Sequence, residues 1–214
     1  ALVEDIFSTK AVYSQYRNLV FGGDETQNFT FDGHTPDDIY AININRSRYK
    51  NQLRLGNNFN IHLSGSHDGT ILKLTDDSVT TSGSANAFRA GVGREFNLVS
   101  GSSGVRLGTS NTFVTDSGSY GFVYPDAGFI ILNADALDHS SSLSDFAGGA
   151  GGTNLGTDST NDSDEKNVLK LRDALEKGGS FILDSAETIS SQFYFCRVKN
   201  GQFNYTTNAS FTKA

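Results

Sequence analysis

Four histidines, one cysteine, two glycine-rich stretches and one acidic run are the side chains in this sequence that could do chemistry. His62 and His67 flank a turn and could approach each other, with His34 and His139 lying elsewhere. A zinc site needs a tighter set of His, Cys or Asp ligands, so all four read as structural or solvated. Cys196 lies in Phe193-Tyr-Phe-Cys-Arg-Val198. A catalytic thiol needs a histidine partner and an activating environment. Strand alternation groups Cys196 with Tyr194 and Val198, which predicts a buried, inert thiol. Gly148 to Gly156 looks like a phosphate loop, but no strand precedes it, no helix opens at its end and no Gly-Lys-Ser/Thr follows. Ala90-Gly-Val-Gly-Arg-Glu-Phe96 lacks the third glycine of a dinucleotide fingerprint. Both read as loops. Asp158, Asp162, Asp164 and Glu165 could offer oxygens to calcium, but not at EF-hand spacing. They read as solvated acids that favour the N-terminus of a following helix. Nothing matches Gly-x-Ser-x-Gly, and a glycosidase pair is close only in space, so it is not visible in sequence. Sequons at Asn28, Asn45, Asn161, Asn204 and Asn208 are expected by chance in a chain rich in Asn, Ser and Thr. The sequence therefore nominates no catalytic, cofactor-binding or metal residue, and the expectation is a protein that is not an enzyme and carries no cofactor.

The elements that would position such residues are mostly strands. In 214 residues, apolar side chains are 36%, which allows only a lean core. Sixteen Phe and eight Tyr compensate, since each buried ring removes about 150–250 Å² from water. Tyr40, Ile42 and Ile44 alternate with polar or small residues, as do Phe59, Ile61 and Leu63. Asp68-Gly69 between apolar segments predicts a hairpin into Ile71–Leu74. Residues 75–85 read as a polar loop. Short strands follow at Phe88–Val92, Phe96–Val99, Val105–Leu107, Thr112–Thr115 and Tyr120–Tyr124. The continuous apolar run Phe129–Leu132 predicts a strand buried on both faces. An amphipathic helix is expected over about Asp164–Lys177, with Asp162 and Glu165 as a capping pair and Val168, Leu171 and Leu175 on one face. Gly178 stands where a C-terminal cap belongs. A strand at Phe181–Leu183, a helical turn near Ala186–Ile189 and a last strand Phe193–Val198 complete the pattern. Asn200-Gly201 then makes a tight turn.

The fold class expected is mainly β, an antiparallel sandwich-like domain with one inserted amphipathic helix. The parts are an N-terminal arm and connection at 1–38, a β domain at 39–139 and a flexible Gly/Ser/Asp-rich insertion at 140–164. The helix and C-terminal strands at 165–214 complete the β domain. Residues 1–20 fit either a short helix or an extended arm.

Charge and cysteine usage narrow the partners. The net charge is −7, whereas a protein that grips a phosphate backbone normally carries a basic excess. Nucleic acid is not expected as a partner. No apolar run approaches the roughly 20 residues that span a bilayer, so no membrane partner is expected. One cysteine excludes a disulfide framework within the chain. Methionine is absent, even at position 1, and the sequence reads as an excerpt of a longer chain.

Three stretches carry a resemblance. The first comprises Ile39-Tyr-Ala-Ile-Asn-Ile-Asn-Arg-Ser-Arg-Tyr-Lys50, Leu55-Gly-Asn-Asn-Phe-Asn-Ile-His-Leu-Ser64 and Leu72-Lys-Leu-Thr-Asp-Asp-Ser78. The second is Tyr120-Gly-Phe-Val-Tyr-Pro-Asp-Ala-Gly-Phe-Ile-Ile-Leu-Asn133. The third is Phe193-Tyr-Phe-Cys-Arg-Val-Lys-Asn-Gly-Gln-Phe-Asn-Tyr-Thr-Thr-Asn-Ala-Ser-Phe211. Together, over residues 35–210, they resemble large virion structural proteins of contractile-tailed phages of marine bacteria, especially cyanobacteria. Such proteins belong to the tail, baseplate or neck. The resemblance implies location in the virion and assembly with other virion structural proteins, as a homo-oligomer or symmetric assembly. It supplies no active-site residues. The competing expectations are a receptor- or glycan-binding β domain of a fibre or adhesin, and a polysaccharide-degrading enzyme. Candidate assembly segments are residues 1–20 and 200–214.

Overall fold

The computed structural model describes residues 8–31, 33–64, 71–106, 120–137, 167–176, 178–199 and 201–202. The chain opens with a helix, α1 (Ser8–Phe21). Tyr13, Tyr16 and Val20 recur at helical spacing, and Tyr13 and Val20 are buried against Phe29 and Phe31. Gly22 (φ +69°) ends the helix, its N–H donating to Asn18 C=O at 3.0 Å. Of the two readings of the N-terminal segment, the helix is the one found. From Ser8 onward the expected arm is a packed element.

The strands are β1 (Ile39–Asn43), β2 (Gln52–Arg54), β3 (Asn60–Ser64), β4 (Ile71–Asp76), β5 (Ala87–Arg89) and β6 (Gly93–Ser102). They continue with β7 (Val105–Arg106), β8 (Gly121–Tyr124), β9 (Phe129–Asn133), β10 (Ser180–Ile182) and β11 (Asp184–Ala186). All the pairings are antiparallel. The main sheet runs β1-β9-β8-β6-β4-β3-β10, with β5 and β7 as added partners of β6, while β2 and β11 form a separate pair. The fold is mainly antiparallel β and sandwich-like, realised as one curled sheet, a half-barrel.

The curl follows from where the apolar side chains go. Tyr40, Phe59, Ile61, Leu63, Leu74, Phe96, Leu98, Val123, Ile130 and Leu132 come from six strands and the turn before β3, yet form one buried cluster. α2 (Ala134–Leu137) and α3 (Asn167–Glu176) close over it from that face. Alternate residues of the same strands, Ile39, Phe122, Tyr124, Phe129 and Ile131, point the other way and pack against α1 and Phe29–Phe31. That second layer is aromatic, with Phe31 stacked on Phe122 at 4.6 Å and Tyr124 on Phe129 at 4.6 Å. So β8 and β9 are buried on both faces, which is why Phe129–Leu132 reads as an unbroken apolar run.

β3 and β4 pair antiparallel, with Leu63 opposite Leu72 and Ser64 opposite Ile71, while the expected Asp68-Gly69 turn lies outside the described residues. β1 stops at Asn43, short of the alternating Ile44, because the Asn45 side chain accepts from Ser47 N–H and caps a 3₁₀ turn at Arg46–Arg48. Within α3 the buried positions are Asn167, Leu171 and Ala174, with Leu175 half-buried. Val168, expected on that face, is 71% exposed because the sheet takes the stripe one position round. Ser64 Oγ donates to Ala174 C=O at 2.9 Å and fixes that rotation. The expected strand Thr112–Thr115, Asp162 and Glu165 lie outside the described residues.

Candidate interaction surface

β11 is the last element held by the domain. It pairs with β2 in the register Asp184↔Arg54, Ser185↔Leu53 and Ala186↔Gln52. β2 is anchored in turn, since Leu53 is buried and its N–H donates to Pro125 C=O at 2.9 Å. Two side-chain contacts extend the attachment, Lys50 Nζ to Glu187 Oε2 at 3.0 Å and Asn51 Nδ2 to Thr188 Oγ1 at 3.4 Å. Beyond Thr188 the chain leaves.

From Glu187 to Lys199 every residue is exposed and none is in a helix or strand. The segment is an arm. Phe193, Tyr194 and Phe195 are 81%, 83% and 96% exposed, and Ile189 and Val198 are exposed as well. Between Ile189 and Val198 the hydrogen bond found is internal, Tyr194 Oη donating to Gln192 Oε1 at 2.6 Å. The arm ends in the expected turn at Gly201 (φ +96°), where Gln202 N–H donates to Lys199 C=O at 2.9 Å. Three expectations are corrected here. Ala186–Ile189 is not helical, and Phe193–Val198 is not a strand, because no neighbour among the described residues supplies a ladder. Cys196 is therefore exposed and not buried.

The other candidates are occupied by structural tasks. His34 Nε2 lies 2.8 Å from Asp135 Oδ2 on the surface. His62 Nδ1 meets Ser180 Oγ at 3.0 Å across the β3–β10 pair, and burial followed by the Lys73 charge lowers its pKa, favouring the neutral ring. Ala90-Gly91-Val92-Gly93 is the turn from β5 into β6. Gly93 (φ +87°) lets the chain pass Asp126, whose Cβ would lie 2.8 Å from a Cβ placed there. His67, His139, the Gly148–Gly156 stretch and the acidic run at Asp158–Glu165 lie outside the described residues. Among the described residues, no group of three or more His, Cys, Asp or Glu side chains could hold a metal.

The buried acids act as clamps. Asp76 accepts from Gly56 N–H at 2.8 Å and Ser78 N–H at 2.9 Å. Asp77 accepts from Asn97 N–H at 3.1 Å and Asn97 Nδ2 at 2.8 Å, and burial raises its pKa. Together they tie a segment expected to be a polar loop into the core. Glu95, fully buried, accepts from Arg89 Nε at 3.0 Å, Asn86 Nδ2 at 3.0 Å and Tyr124 Oη at 2.8 Å. Burial and the adjacent Glu95 charge push the Tyr124 phenol well above its usual range. Arg94 forks onto Asp126, with Nε 3.0 Å from Oδ2 and Nη2 2.6 Å from Oδ1, and also donates to Gln52. Each of these groups is committed to a partner within the domain.

A surface depression of about 370 Å³ lies beside Phe21, Gln27, Thr30 and Phe122. Its one charged side chain, Arg89, is bound to Glu95 and covers the Phe21 ring at 4.9 Å. Comparison with known protein families, curated proteins and solved structures finds no match to this chain.

What distinguishes the surface is thus the arm and not a pocket. It was missed because its sequence alternates no better as a free segment than as a strand. The one signal that could have found it is a run apolar on both faces, Phe193 to Val198, with no second such run left in the chain to sandwich it.

Proposed function

We propose that this chain is a structural component of a phage virion, in the tail, baseplate or neck, and works through protein–protein assembly contacts with other virion proteins. The single observation that carries the proposal is the exposed aromatic arm at 187–199. Three adjacent rings held in water are costly to leave there. Fully burying a ring of this size is worth about 1.5–3 kcal/mol. Exposed patches of this kind mark interaction sites. The resemblance over residues 35–210 supports the virion as the setting, and the tight clamps of the buried acids suit a rigid building block.

The test is a cryo-EM map of the intact source particle with the chain fitted. The expected result is the domain in the tail, baseplate or neck with Phe193–Val198 packed on a neighbour. A domain projecting at a fibre tip with the arm in solvent would overturn the scaffold reading, and glycan binding would become the function to measure.

A further inference from the structure

We infer that the arm of one copy lies as an added strand along the outer edge of β1 in a second copy, running antiparallel to it. The inference rests on the assembly reading above and names its partner.

The edge comes first. β1 ends the main sheet, and no strand among the described residues lies beyond it. Its phase is set at one end, where Ile44 N–H donates to Gly128 C=O at 2.9 Å. With Tyr40 opposite Leu132 and Ile42 opposite Ile130, residues 40, 42 and 44 turn their backbone groups toward β9. Ile39, Ala41 and Asn43 then turn theirs outward. A row of outward backbone groups is the template an extended peptide pairs with.

Side chains select this edge. A strand added beside β1 continues two cores at once, that of Tyr40 and Ile42 on one face and that of Ile39 on the α1 face. Such a strand needs apolar residues on both faces. The arm has Tyr194, Cys196 and Val198 on one side and Phe193 and Phe195 on the other, where Arg197 ends the apolar stretch. The opposite end of the sheet offers less, because β10 is three residues long and runs at once into β11.

Charge sets the direction. From Thr188 to Gln202 the arm carries Arg197 and Lys199 and no acid. β1 is preceded by Asp37 and Asp38 and followed by Arg46, Arg48 and Lys50. Antiparallel pairing brings the two basic residues to the acidic end, whereas parallel pairing would bring them to the basic end, where like charges repel. The contact joins two different patches, so repeated use builds a closed ring or an open filament unless two copies exchange arms.

The full chain is examined by sedimentation velocity over a concentration series, together with F193S/F195S, R197E/K199E and two cysteine variants. The expected result is concentration-dependent association, weakened about tenfold or more per ring in F193S/F195S with unchanged circular dichroism and melting temperature. Association of R197E/K199E should also weaken. A short bis-maleimide should join native Cys196 to a cysteine at the β1 edge (A41C) between copies, but not to one on β10 (I182C). Association untouched by F193S/F195S, or equal cross-linking of I182C and A41C, would overturn the inference. A chain that stays monomeric throughout overturns the second copy as partner. The assembly reading is then judged separately, by whether the particle map packs the arm on a different protein.

Discussion

Phe129–Leu132 and Phe193–Val198 are two concentrated apolar runs in the described chain, and they have opposite fates. The first lies in β9, between β8 and β1, with Ile130 and Leu132 in one core and Phe129 and Ile131 in the other. The second stands in solvent beyond β11. Their hydrophobicity does not separate them. A strand apolar on both faces is buried only where pairing neighbours exist on both edges and packing layers on both sides. β9 has all four. The arm has none within the described residues, so its burial is left to another molecule.

Four perturbations would break or sharpen that contrast. The largest effect is expected from E95A, which removes the buried carboxylate that Arg89, Asn86 and Tyr124 share beneath the α1 layer. Leaving those donors without their acceptor should cost about 3–5 kcal/mol, read from urea unfolding. I131A comes next. Ile131 is fully buried, so the cavity should cost about 2–5 kcal/mol by the same measurement.

Acid titration should give a smaller effect. The Arg94 guanidinium hydrogen-bonded to Asp126 holds that carboxyl below its ordinary value of 3.8. The pair therefore adds stability that is complete above that ordinary value and is lost as pH falls through the depressed one. Both side chains are about one-third open to solvent, so screening limits the contribution to about 1 kcal/mol or less. D126N should flatten that part of the melting-temperature profile below about pH 4. The smallest change is expected from F195A. With the ring 96% exposed, stability of the dilute chain should move by no more than about 0.5 kcal/mol. A loss comparable to that of I131A would mean that the arm packs on its own domain, and the contrast between the two runs would fail.

Much of the fold was legible because strand alternation is local. Tyr40 and Ile42, Ile61 and Leu63, and the two-sided run at Phe129 each report which faces are covered. The α3 stripe was one position off because Val168 and Leu175 are more apolar than Asn167 and Ala174, and only contact with β3 selects the latter beside Leu171. Asp76 and Asp77 looked like loop residues because carboxylates are usually solvated. Their burial depends on Gly56 and Asn97, about 20 residues away along the chain in each direction.

The sequence by itself determined the antiparallel β class, the lean aromatic core, the two-sided strand and the turn at Gly201, all of which follow from residue type and short-range spacing. It also determined that an apolar run precedes the Asn200-Gly201 turn. Tertiary structure alone decided that α1 seals the second face of the sheet, that the acids become clamps and that Phe193–Val198 has no partner among the described residues. The physical reason is that burial belongs to pairs of surfaces, and a sequence names only one surface of each pair.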